Sequence, residues 1–108
     1  MNSYIEKDAL YVLRKYPTKV PVMVQKDIRC TLIADLPKRK FIVPKDLRIS
    51  DFLYYIRRQL QVPEFESIFI FINDSLPSLN HTIGLLYEEE KDNDGFLYIY
   101  FTTESTFG

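Results

Sequence analysis

One stretch, "ISDFLYYIRRQL", constrains the fold of this chain more than any other, because it interrupts strand-like segments with a different period. Its Ile49, Leu53, Ile56 and Leu60 recur at intervals of four, three and four, while Arg57, Arg58 and Gln61 fall elsewhere around the wheel. The spacing predicts an amphipathic helix with Ser50 as its cap, and a second apolar stripe of Phe52 and Tyr55 beside the first.

Ahead of this helix, "VPVMVQ" (Val20 to Gln25) and "KFIVP" (Lys40 to Pro44) are β-branched and alternating, with a turn-like, basic "DLPKRK" between them. They predict two adjacent antiparallel strands. Behind it, "SIFIFIND" and "FLYIYFT" predict two more strands, separated by "TIGLLYEEEK", a short capped helix. At the start of the chain Ser3 and Glu6 have capping-box spacing, and Ala9, Leu10, Val12 and Leu13 cluster helically before "KYP" stops the run.

The order is therefore helix, strand, strand, helix, strand, short helix, strand. It fits an α+β chain of the β-grasp pattern: a four-stranded mixed sheet with a crossover helix on one face and a short N-terminal helix. Uninterrupted apolar runs in "SIFIFI" and "FLYIYF" suit central strands covered on both faces. "KFIVP", begun by lysine and ended by proline, reads as an edge. At 108 residues a single ubiquitin-sized domain spanning 1–108 is expected, with 1–15 a helical segment and 103–108 a short arm leaving the sheet.

Composition removes several function classes. A net charge of -1 and a pI near 5.8 leave no electrostatic footprint for nucleic acid. One cysteine and one histidine supply no zinc set, no glycine-rich phosphate loop is present, and no cofactor is implied. Cys30 reads as a small apolar filler, and His81, in "SLNHT", as a loop residue. The acidic run Glu88 to Asp94 lacks the pattern of a calcium loop and reads as a solvated helix end. Without a signal peptide or a membrane-spanning stretch, the expected location is the cytosol.

The chain carries more apolar residues than the core faces need. Val20, Val22 and Val24 point one way, which leaves Pro21 and Met23 on the other face, and Phe41 and Val43 alternate with Ile42. Either the opening helix covers this surplus, or it flanks an edge strand that accepts a peptide by main-chain hydrogen bonds. Alternation alone leaves both readings open. Lys38, Arg39 and Lys40, beside that edge, read as a soluble turn able to meet acidic residues of a partner.

Taken together, "RKYPTKVPVMV", "DLPKRKFIVPKDL", "FLYYIRRQL", "FIFINDSLP", "GLLYEEEKDNDGFLYIYF" and the terminal "ESTFG" span nearly the whole chain. In order and spacing they resemble the autophagy ubiquitin-like modifiers of the GABARAP and microtubule-associated light-chain kind. The resemblance implies a non-enzymatic, monomeric tag whose terminal Gly108 is activated with ATP by a separate activating enzyme. A conjugating enzyme then passes it to the amine of phosphatidylethanolamine, on autophagosome membranes, and a cysteine protease deconjugates it.

It also implies recognition of cargo-receptor and adaptor peptides bearing an aromatic residue and, three positions later, an aliphatic one with acidic neighbours. By resemblance, the aromatic pocket comprises Asp8, Val12, Pro21, Met23, Lys40, Ile42 and Phe96. The aliphatic pocket comprises Phe41, Val43, Pro44, Leu47, Phe52 and Tyr55, and Lys19, Lys38 and Lys40 meet the acidic flank. In the family a further short helix precedes the first one expected here, where only "MNS" stands, and Gln59 occupies a position that is commonly basic. Two alternatives stay open: a related modifier attached to a protein lysine, and a β-grasp interaction module that is never conjugated.

Overall fold

The structure is a computed structural model describing residues 3–31 and 33–103. The side chains of residues 3–7, and with them the Ser3–Glu6 capping pair, lie outside the described residues, as do residues 104–108 of the terminal arm; Thr103, expected to begin that arm, is instead the buried last residue of a strand.

The elements follow the expected order: α1 (Ser3–Lys15), β1 (Lys19–Lys26), β2 (Lys40–Pro44), α2 (Ile49–Leu60), β3 (Ile68–Phe71), α3 (Ile83–Glu90) and β4 (Leu97–Thr103). The strands form one mixed sheet in the order β2-β1-β4-β3, with β1 antiparallel to β2 and parallel to β4, and β3 antiparallel to β4. This is the α+β, ubiquitin-like β-grasp arrangement. β2 is an edge, as its lysine and proline predict. β4 is central, but β3 forms the opposite edge, contrary to expectation. An apolar run reports cover on the faces of a strand, not the number of its lateral neighbours. Even the cover is one-sided in β3: Ile68 and Ile70 are buried, while Phe69 and Phe71 are half-buried.

Alternation places Val20, Val22 and Val24 fully in the core against Ile49, Ile56, Ile83, Leu97, Ile99 and Phe101. Phe52 joins them at 2% exposure, so it belongs to the core rather than to a separate outer stripe with Tyr55. It sits three residues after Ile49 and four before Ile56, which on a helix is the same face. Leu53 and Leu60 are only partly buried at its margin.

Ser50 is not the cap of α2. Arg48 occupies that position without a side-chain cap bond, because loop carbonyls satisfy the first amides: Ile49 N–H donates to His81 O (2.9 Å) and Ser50 N–H to Leu79 O (3.0 Å). α3 is capped as expected, Leu85 N–H donating to Thr82 Oγ1 at 3.3 Å. Ile83 N–H in turn reaches Leu47 O at 2.7 Å, so the starts of the two helices are stitched together. Cys30 is buried, its Sγ 3.9 Å from Thr103 Oγ1, and His81 is an exposed loop residue.

Candidate functional site

The register of β1 and β2 determines what each face of the edge presents. Cα partners in a ladder point to the same side, so Val22 with Phe41 and Val20 with Val43 share the core face toward α2. Met23 with Lys40, Pro21 with Ile42 and Lys19 with Pro44 share the other. The surplus apolar residues are thus divided between two sides of one edge strand.

All six residues expected in the aliphatic pocket, Phe41, Val43, Pro44, Leu47, Phe52 and Tyr55, line one groove of about 270 Å³ between β2 and α2, which Pro44 reaches from the other face of the strand. Phe41 meets Phe52 and Tyr55 edge-on, with ring centroids 6.2 and 6.0 Å apart, and Phe52 stacks against Tyr55 at 6.3 Å. The packed rings form a firm apolar wall. Ile42 and Asp51 complete the lining. Asp51 was missed in the sequence, although its position four residues before Tyr55 on one helix face would have found it.

On the other face the register pairs Met23 with Lys40 and Pro21 with Ile42, and Lys40 links this face to Asp8 of α1 and to Phe96 before β4; Val12 of α1 is not shown to touch them. Val12, Pro21 and Phe96 are buried, Met23 is half-buried, and Ile42 is exposed. Lys40 Nζ lies 5.9 Å from the centroid of Phe96 and 2.6 Å from Asp8 Oδ2. This ion pair ties α1 to the edge strand beside Phe96.

Phe96 is held from below by the turn in which Gly95 N–H donates to Asp92 O (3.0 Å). Its N–H donates to Asp94 Oδ1 (2.9 Å), its carbonyl accepts from Asp92 N–H (2.8 Å), and Tyr87 O–H donates to Gly95 O (2.6 Å). Tyr98 O–H donates to the other oxygen of Asp94. Burial, and then this bond, push the Tyr98 phenol well above its ordinary range, so it remains a donor. Asp94 is 9% exposed, which corrects the reading of the whole run Glu88 to Asp94 as solvated; Glu88 and Glu89 are exposed as expected.

The basic residues separate. Lys38, with Nζ 5.5 Å from the Phe41 ring, and Lys40 stand at one end of β2, whereas Lys19 stands opposite Pro44 at the other, its Nζ 5.5 Å from the Tyr16 ring. Arg39 is paired with Asp35 at 3.1 Å. Among the described residues no cluster of metal-ligating side chains occurs, and no helix is long and apolar enough to cross a membrane.

The family model described as "Autophagy protein Atg8 ubiquitin like" matches residues 5–108. The chain is similar to "Autophagy-related protein 8" of Lodderomyces elongisporus (40% identical; 95% of this chain, 70% of the relative) and of Candida albicans (40%; 95% and 76%). To the protein of that name from Pichia angusta it is 41% identical, over 94% of this chain and 80% of the relative. In three dimensions it resembles the crystal structure of Trypanosoma brucei ATG8, with a TM-score of 0.91 at 29% identity, covering 100% of this chain and 93% of that one. Sequence and fold agree: the chain belongs to the Atg8 family of ubiquitin-like autophagy proteins.

Proposed function

We propose that this chain is a modifier rather than an enzyme: one ubiquitin-like domain over 1–108, conjugated through Gly108 to phosphatidylethanolamine on autophagosome membranes and reading aromatic-x-x-aliphatic peptides of cargo receptors. Activating, conjugating and deconjugating enzymes supply the chemistry. A residue without a side chain lets the terminus thread a narrow active-site channel and leaves the acyl carbon open to the attacking amine.

The observation that carries the reading is the division of apolar residues across β2. A guest strand beside β2 turns alternate side chains to opposite faces, so residues three apart point to opposite sides. An aromatic residue and an aliphatic one at that spacing suit the two faces, the aliphatic one entering the groove against α2 and the aromatic one meeting the face of Pro21, Lys40 and Ile42. The Lys40–Asp8 pair is an obstacle of low cost, since an exposed ion pair contributes about 0.2 to 1 kcal/mol. An acidic residue of the peptide replaces Asp8 as the partner of Lys40, which favours acidic flanks.

Incubation with activating and conjugating enzymes, ATP and phosphatidylethanolamine liposomes tests the covalent half. Mass spectrometry is expected to find the lipid on Gly108. Recovery of unmodified protein alone, from enzymes shown to be active, would overturn it.

A further inference from the structure

Folding leaves two large apolar side chains almost wholly in water: Ile28 is 93% exposed and Phe65 is 85% exposed. Both lie at the end of the sheet where β4 finishes. Ile28 is two residues from Cys30, whose side chain meets Thr103, and Phe65 is three residues from Ile68, the ladder partner of Thr103. Chain length alone keeps both within about 16 Å of Thr103. They also flank β4, since β1 runs into the loop of Ile28 on one side and β3 begins beyond Phe65 on the other.

Neither residue is on slack chain. Asp27 N–H donates to Phe101 O (2.8 Å), Asp27 O accepts from Cys30 N–H (2.9 Å), and the Asp27 carboxylate grips Arg29 through its backbone N–H, Nε and Nη2. Around Phe65, Glu66 N–H donates to Pro63 O (3.0 Å), and the Arg57 guanidinium holds Pro63 O and Glu66 O at 3.2 and 2.6 Å. Each apolar side chain is displayed from a turn that is already tied down. Rigid apolar residues presented this way lose little freedom on docking, which is what makes an effective anchor.

Gly108 is five positions beyond Thr103, a reach of at most about 18 Å. A protein that acts on the Gly108 carboxylate must therefore bring its body close to this end of the sheet. A standard interface patch of roughly 800 Å², about 30 Å across, then includes both side chains. We infer that Ile28 and Phe65 are anchors for the enzyme that activates Gly108, a deepening that rests on the function proposed above. Glu64 and Glu66 flank Phe65, so the partner surface is an apolar recess with a cationic rim. The same turn that displays Phe65 keeps its backbone from extending, which disfavours insertion of this segment as a strand into the β2 edge of a second copy.

The test is thioester formation on the activating enzyme, with ATP, as a function of modifier concentration. Ile28→Ser and Phe65→Ser are each expected to raise the half-saturating concentration about tenfold, more together, with the maximal rate unchanged. Leu76→Ser, exposed at the other end of β3, serves as the control and stays at wild type. Melting temperature and binding of an aromatic-x-x-aliphatic peptide remain unaltered in all three. Thioester formation with no shift overturns the surface alone. A defect confined to the later liposome step overturns the enzyme as occupant and assigns the pair to the bilayer. Failure of the wild-type protein to form any thioester overturns both this surface and the lipid-tag reading beneath it.

Discussion

Gly95 shows how much a single position can carry. Its φ is +88°, and a Cβ there would lie 2.8 Å from Ala9 Cβ, so the turn below Phe96 and the helix above it meet at a contact that admits no side chain. Gly95→Ala is expected to cost about 1–3 kcal/mol, read as a lower midpoint in chemical denaturation, because it adds backbone strain to a clash with α1. Nothing in the sequence announced this, since the approach of Ala9 is made by tertiary folding. Asp27 gives a second prediction. Hydrogen bonds from Arg29 lower its carboxyl to about 2, below the ordinary value of about 3.9. A depressed folded value adds stability that is fully present above the ordinary value and disappears as pH falls through about 2. Wild type should therefore melt above Asp27→Asn at pH 5 to 7, and the gap should close between pH 4 and 2 in a series of thermal scans.

Elements were legible where a period was clean. The alternating "VPVMVQ" and "KFIVP" gave β1 and β2 with the right faces, and the four-three-four spacing gave α2. What could not be read was the contact made between elements. Ser50 looked like a cap because a side chain was the only local candidate, whereas the carbonyls of Leu79 and His81, some thirty residues away, satisfy the start of α2. Phe52 looked like a second stripe for a similar reason: the wheel gives direction, but depth depends on what packs above it. The aliphatic recess that results is an element-scale feature, made by a strand, a loop and a helix. Ile42→Ala, truncating an exposed side chain, is expected to weaken binding of an aromatic-x-x-aliphatic peptide about fivefold to tenfold without lowering the melting temperature. Leu47→Ala should weaken it similarly with a small loss of stability, because Leu47 also packs against the core. Titration calorimetry beside thermal scans separates the two effects; unchanged isotherms for both variants would refute the pocket assignment.

At the scale of the whole molecule the element order was enough to specify a β-grasp sheet, since a hairpin, a crossover helix and two further strands leave few right-handed arrangements. It was not enough to place β3 inside or at the rim, because the parallel pairing of β1 with β4 decides that, and pairing is a long-range event. The family resemblance named residues on both faces of β2; the register sets Phe41 and Val43 on one face and Lys40, Ile42 and Pro44 on the other. The open margin of β2 has one more consequence. A strand that offers its backbone to a guest offers it equally to any neighbour in a crowded cell, and such margins seed aggregates when they are long and uniformly apolar. This one is five residues long, begins with the charge of Lys40 and ends with a proline that has no N–H to give. The shortness of β2 thus serves solubility: it is long enough for the peptide proposed above, and too short to hold a stranger by its backbone alone.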